Sequence, residues 1–250
     1  MSDSYGAVTA RYYDAACTSA GLGADAEFYL ELAREAAGPV LELGCGTGRA
    51  LLPIAALGVP CTGVDTSPAM LGALRAKDPP ETLRLVCAPM QSFDLGDDRF
   101  ALIFSAFRAF QHMHTIADQL ACLAGLRRHL APGGCFAFDV FNPRLARTAQ
   151  VEEPEAEDLR FEDDGDEVVR YVSVRRELDR QLLHVHMRYE RRRGGTPVSN
   201  DEVDFEMRYF FRYELEHLLA RGGFEDVVLY GDFDRSPFGP DSPALIFLAR

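Results

Sequence analysis

The chain has 250 residues, 47% hydrophobic and 10% aromatic, with 39 acidic against 26 basic residues and a formal net charge of −13. That length allows one full core near the upper size of a single domain, and the acidic balance argues against a phosphate-binding surface and so against nucleic acid as substrate. No apolar run approaches the ~20 residues of a membrane span and no charged-then-apolar leader opens the chain, so no membrane association is expected.

The first forty residues are polar and poorly periodic and carry Tyr5 and the pair Tyr13-Asp14. A strand is predicted at 40–43, running into the turn Gly44-Cys45-Gly46-Thr47-Gly48, whose G-x-G-x-G spacing lets the backbone reverse and approach a ligand before residues 48 to 58 wind into a helix. The strand at 61–65 ends in Asp65, placed to accept hydrogen bonds from ribose hydroxyls. Ser67 and Pro68 open a helix over 68–77, Ser67 as cap and Pro68 in the first turn. Strands follow at 83–87 and 102–105. A helix over 115–130 stops at Ala131-Pro132-Gly133-Gly134, and a strand covers 135–140. The chain closes with a helix over 213–221, stopped by Gly222-Gly223, and strands at 227–230 and 244–248.

Strand alternating with helix predicts a doubly wound α/β sheet covered on both faces. One segment breaks the rhythm. Between Pro143 and Phe205 lie about sixty residues where a connection normally takes two to six. Residues 152–167 hold ten acids and Arg160 alone as a base, which reads as a solvated loop. The remainder alternates: Val168, Arg170, Val172, Val174; then Leu183, Val185, Met187, Tyr189; then Val203, Phe205, Met207, Tyr209. These are antiparallel strands with turns near Asp179-Arg180 and Gly194-Gly195. Three parts are expected: 1–143, an amino-terminal lid and the cofactor-binding part of the core; 144–203, the acidic loop and antiparallel β insertion; and 204–250, the rest of the core. Cys17, Cys45, Cys61, Cys87, Cys122 and Cys135 are scattered with no C-x-x-C pair, as reduced thiols of a cytoplasmic protein would be.

A dinucleotide fingerprint would place its third glycine at position 49, where this chain has Arg49. With Glu42 inside the strand, the pattern E-x-G-C-G-T-G resembles the first motif of the class I, Rossmann-like S-adenosylmethionine-dependent methyltransferases, whose ligand carries no phosphate. Across residues 5 to 250 the chain resembles their small-molecule branch, including sugar amine N-methyltransferases with a similar antiparallel insertion. The resemblance implies a seven-stranded sheet with a final hairpin, an insertion after the fifth strand, and S-adenosyl-L-methionine as cofactor. It implies a small-molecule acceptor methylated at an amine nitrogen, with a hydroxyl as the alternative, and a homodimer contact through the insertion.

The same resemblance assigns residues. Tyr5, Tyr13, Glu42, Gly44, Cys45, Gly46, Gly48, Asp65, Thr66, Met70, Met90, Gln91 and Ser105 are the expected cofactor-binding set; Tyr13 and His112 are the catalytic candidates, and Arg108 and His112 face the acceptor. His112 follows the fourth strand in Ser105-Ala-Phe-Arg-Ala-Phe-Gln-His112, where a base helps when the nucleophile arrives protonated. A hydrogen-bonded packing histidine is the competing reading, with His114 as rival base. Arg108 suits an acceptor carboxylate or the cofactor's own, or snorkels from a helix end.

Two departures stand out. The third strand is followed by Ala88-Pro89-Met90 where the family usually reads Gly-Asp-Met, so adenine recognition falls to Met90, Gln91 or Ser92. Ala101 replaces the usual aspartate opening strand four. These motivate a noncatalytic cofactor-binding protein as one alternative. A nicotinamide-dependent oxidoreductase is the other, opposed by Arg49 and by the lack of a Y-x-x-x-K pair. His184 and His186 share a strand face but lack a third ligand at sensible spacing, so no metal is expected.

Overall fold

The computed structural model describes residues 5–250, and the first four residues of the expected lid lie outside the described residues. Strands β1 (Val40–Leu43), β2 (Cys61–Asp65), β3 (Leu83–Cys87), β4 (Phe100–Ser105) and β5 (Leu130–Phe141) alternate with helices α3 (Leu51–Ala55), α4 (Pro68–Arg75) and α5 (Ile116–His129). A short helix α6 (Leu145–Thr148) follows β5, and helix α7 (Arg212–Arg221) leads to β10 (Val227–Tyr230) and β11 (Ala244–Ala249). One seven-stranded sheet results, in the order β10-β11-β5-β4-β1-β2-β3, with β11 antiparallel to both of its neighbours and the other pairings parallel. The strand order reverses between β1 and β4, and in sheets of this kind the crevice beyond the carboxyl ends at that switch point takes the ligand.

Local chemistry sets the element ends. Ser67 caps α4 by accepting from the Met70 amide at 3.1 Å, with Pro68 as the first helical residue. Thr115 does the same for α5 through the Asp118 amide, also at 3.1 Å. At the start of β5 a Cβ on Gly134 would lie 2.9 Å from the carbonyl oxygens of Phe100 and Ala131, and the register with β4 shifts there. Two buried clusters flank the sheet, one with Leu41, Phe110, Phe136 and Phe247, the other with Phe28, Leu51, Phe104 and Ile246.

The amino-terminal segment, to which the sequence analysis assigns no element, forms two helices, α1 (Ala7–Ser19) and α2 (Ala24–Ala36). The acidic run is likewise not a loop. It forms β6 (Glu152–Asp163), the edge of a four-stranded antiparallel sheet completed by β7 (Asp166–Glu177), β8 (Leu182–Arg193) and β9 (Thr196–Arg208). Arginines discharge its acids: Arg170 pairs with Asp158 at 2.8 Å, Arg188 with Glu155 at 2.8 Å, and Arg160 with Glu157 at 2.6 Å. Cross-strand charge pairs make such a sequence compatible with a sheet.

The apolar face of this sheet packs on α1, where Tyr12 stacks on Tyr189 with centroids 4.7 Å apart beside Phe161 and Val203. The opposite face of α1 holds the core, since Asp14 accepts from the Thr47 hydroxyl at 2.7 Å and pairs with Lys77 at 2.6 Å. Both stems of the insertion meet at one buried residue. The Gln111 side chain accepts from the Phe141 amide at 3.3 Å and donates to the Arg208 carbonyl at 2.8 Å.

Candidate active site

The glycine turn, the Asp65 loop and the segments after β3 and β4 converge on one cleft of about 1670 Å³, roofed by β7, β8 and β9. Gly44 has φ +76° and a Cβ there would lie 2.6 Å from the Ala109 Cβ, so the turn abuts the segment after β4 only because it is glycine. Asp65 accepts from the Gly46 amide and from the Ser67 amide, each at 2.8 Å. One carboxylate thereby locks the glycine turn to the start of α4. Burial raises the Asp65 pKa, and the three amide donors of Ser67, Gly46 and Thr66 oppose the rise.

Of the residues expected from sequence, Tyr5, Tyr13, Gly44, Gly46, Asp65, Thr66, Met70, Met90, Gln91 and His112 all line this cleft. Glu42, Cys45, Gly48 and Ser105 do not. Glu42 is 3% exposed within β1 and its Oε2 has no partner among the described residues; burial raises its pKa strongly. Cys45 is buried facing Gly63, and Gly48 packs on Leu52 and Leu74 at φ +82°. Ser105 is fully buried. Arg108 lies in a second chamber, described below.

Opposite the glycine turn, His112 closes a short 3-10 turn, Ala109–His112. Its Nδ1 lies 3.0 Å from the Glu206 carbonyl oxygen, which can only accept, so Nδ1 carries the proton. Nε2 is then a lone pair and accepts the Tyr5 hydroxyl at 2.9 Å. Burial pushes the His112 pKa down to about 4, a fall aided by nearby His114 and opposed by the Glu206 carbonyl. Tyr5 itself is raised above the usual tyrosine range by burial and then by the Asp65 charge. His114 Nε2 donates to the same Glu206 carbonyl at 3.1 Å.

Several residues take roles in the site that the sequence reading did not give them. Ser67 donates its hydroxyl to the Tyr5 carbonyl, tying the amino-terminal segment to the cofactor wall. Arg49 forks onto buried Asp25, with one contact at 2.8 Å, and its guanidinium lies 4.7 Å from the Phe107 ring centroid. The residue that distinguishes the turn from a dinucleotide fingerprint is thus a clasp to α2. The outward, polar face of the insertion also reaches the cleft with His184, His186, Asp204 and Glu206. His184 sits between Glu177 at 2.7 Å and Glu206 at 3.0 Å, and His186 pairs with Asp204 at 2.9 Å. Among the described residues no group of three or more His, Cys, Asp or Glu side chains could hold a metal ion. Asp139, a lone acid inside the apolar run 135–140, was detectable by that contrast alone.

Comparison with known proteins agrees with this architecture. A family model described as a methyltransferase domain matches residues 40–134. An uncharacterized methyltransferase of Synechocystis sp. is 32% identical over 105 residues, 42% of this chain and 48% of that protein. A cypemycin N-terminal methyltransferase of Streptomyces sp is 30% identical over 104 residues, 42% of each chain. The matched stretch thus spans about half the length of these relatives or less. The solved structure of the CcbJ methyltransferase from Streptomyces caelestis superposes with a TM-score of 0.83 at 28% identity, covering 99% of this chain and 97% of that one. The glycine turn ending β1, the acid ending β2 and the strand order of the sheet are those of a Rossmann-like methyltransferase fold, and residues 40–134 match a methyltransferase domain.

Proposed function

We propose that the chain methylates an amine nitrogen of a small-molecule acceptor. S-Adenosylmethionine, when bound, supplies an electrophilic methyl group on a sulfonium. Gly44, Gly46, Asp65, Thr66 and Met70 would hold it on one wall, with Met90 and Gln91 on the next. They fit a ligand without phosphate. The main sheet contributes no lysine or arginine to the cleft lining, because Lys77 is committed to Asp14 and the Thr47 carbonyl and Arg49 to Asp25.

The observation that carries the reading is the Tyr5–His112 pair facing the glycine turn, with an unprotonated Nε2. An amine nucleophile must present its lone pair and shed a proton. A neutral imidazole orients such a group and receives that proton, and the Glu206 carbonyl, which accepts from Nδ1, favours the cation that results. The roof that the insertion forms over the cleft favours a compact acceptor over a polymer. The cypemycin relative, by its name, acts on an amino terminus, which is an amine.

The test uses S-adenosylhomocysteine. It should raise the melting temperature while NAD does not, and Asp65→Ala should remove most of the shift, because binding to the native state alone stabilises by mass action. Stabilisation by NAD and not by S-adenosylhomocysteine overturns the reading. His112→Gln should lower turnover by ~10²–10⁴-fold with S-adenosylhomocysteine affinity nearly unchanged. A destabilised but fully active variant would instead make His112 a packing residue.

A further inference from the structure

A second chamber of about 520 Å³ lies between α1 and the apolar face of the insertion. Tyr5, Tyr13, Phe107 and His112 face both it and the cofactor-side cleft, so the two cavities adjoin where the proposed chemistry takes place. Val172, Leu183, Met187, Val203 and Met207 give the chamber an apolar wall. Five arginines also line it, and they differ in kind. Arg170 is paired with Asp158, and Arg147 and Arg176 share Glu153. Arg108 and Arg144 make no ion pair and no side-chain hydrogen bond among the described residues. Both are exposed, and of the nearby carboxylates Asp158 is taken by Arg170 while buried Asp139 reaches Arg108 through its backbone amide and through space, with no direct ion pair.

Arg108 is also held at a cost. Phe107 and Arg108 are consecutive non-glycine residues in the left-handed region, at φ +52° and +68°, a conformation that L side chains rarely adopt and that strains the backbone. Buried Asp139 keeps them there. Its Oδ1 accepts from the Phe107 amide at 2.9 Å and its Oδ2 from the Arg108 amide at 3.2 Å, while the Tyr29 hydroxyl donates to Oδ1 at 2.8 Å. The Arg108 guanidinium lies 5.5 Å from the Phe141 ring centroid, facing the chamber rather than the glycine turn.

We infer that this chamber is the acceptor's tail site, and that Arg108 and Arg144 bind an anionic group, a carboxylate or a phosphate, at the end of the acceptor away from the methylated nitrogen. A planar guanidinium matches either anion with two parallel hydrogen bonds. The acceptor is then a zwitterion: an amine beside Tyr5 and His112, an apolar middle against Val172 and Leu183, and an anion at the rim. The inference rests on the proposal that an amine reacts beside His112. It also separates two ligands, because Arg108 does not line the cleft that would hold the cofactor's own carboxylate.

The test is calorimetric binding to the full chain saturated with S-adenosylhomocysteine. The probes are ω-aminocarboxylates from glycine to 6-aminohexanoate and phosphoethanolamine, each against an uncharged amine of the same length. At least one anionic amine should bind about 10–100-fold more tightly than its neutral counterpart, the range of a charge-assisted bidentate contact. The arm that responds distinguishes carboxylate from phosphate. Arg108→Ala and Arg144→Ala should each reduce the preference and the double variant should abolish it, while Arg108→Lys retains part of it. Equal affinity for anionic and neutral amines in the unmodified protein, or a preference that survives the double variant, overturns the inference. Failure of S-adenosylhomocysteine to bind at all would count against the methyltransferase reading, and the amine titrations on the unliganded chain would still decide the anion site.

Discussion

The Tyr5 hydroxyl and His112 Nε2 meet at 2.9 Å across 107 residues of sequence, and the tyrosine's own carbonyl is held by Ser67. Tyr5 is therefore part of the cleft wall. Tyr5→Phe keeps the ring against Phe205, 5.9 Å away between centroids, and removes only the hydroxyl. Turnover is expected to fall by at least ~10-fold with the melting temperature nearly unchanged, as for loss of a group that acts on a transferring proton. Steady-state kinetics beside a melting curve decide it: an unchanged turnover would make the contact structural.

Two buried groups give opposite pH dependences. His112 sits at about 4 in the folded chain against an ordinary 6.5, so its contribution is present above pH 6.5 and is lost as pH falls toward 4. Asp139 is raised to about 6 from 3.8, chiefly by burial, so its contribution is present below pH 3.8 and is lost as pH rises through 6. The two slopes oppose each other between pH 4 and 6. His112→Gln should leave a protein whose stability rises on acidification in that window, and Asp139→Asn one whose stability falls. Urea unfolding at pH 4, 5, 6 and 7 measures both, and parallel curves for the two variants would contradict the assignment.

Helix α1 is tied to the glycine turn through Asp14 and to the insertion through Tyr12, whose hydroxyl donates to Asp201 at 2.7 Å. Ligand binding between these anchors should restrain it, as lids are restrained. Hydrogen exchange of residues 5–19 should slow on adding S-adenosylhomocysteine. Unaltered exchange there would remove the lid role and leave α1 as a packing helix.

The charge ladder on β6 predicts unequal costs. Glu155→Gln breaks an exposed pair with Arg188 and should change stability by less than ~1 kcal/mol, an effect that fades at high salt. Arg176 is 7% exposed and holds Glu153 and the Gln150 carbonyl. Arg176→Ala should cost more, about 1–3 kcal/mol, because it leaves the Gln150 carbonyl unpaired and Glu153 with Arg147 alone. Denaturant titrations at low and high salt compare the two, and similar values would refute the distinction.

The strands of the main sheet were legible because their apolar runs are bounded by Gly, Pro and capping residues, and the glycine turn with Asp65 was legible because so few folds need that order. What stayed hidden depends on distant partners. Helix α1 buries Thr9, Tyr12, Ala16 and Cys17, a stripe of mixed polarity that gains meaning only against the insertion. Strand β6 looked like a loop because its acids were read singly, whereas in the sheet Asp158 meets Arg170 on β7, and Glu155 and Asp163 meet Arg188 and Arg191 on β8. Within the site, sequence motifs located the cleft but not its supports. Asp139 acts on backbone amides 31 and 32 residues away, and Arg49 on an acid of a helix assigned to no element.

The two stems of the insertion close on Gln111, the neighbour of His112, and the Glu206 carbonyl accepts from His112 and His114, so the four-stranded sheet attaches to the core around one turn. Such an attachment makes the insertion a graftable cassette. Exchanging the segment between Phe141 and Arg208 would reshape the roof of the cleft and leave the glycine turn in place, provided the glutamine, the backbone groups it joins and the face that packs on α1 are kept. Diversification of substrate along a lineage would then leave its marks in those strands and few in the first three of the main sheet.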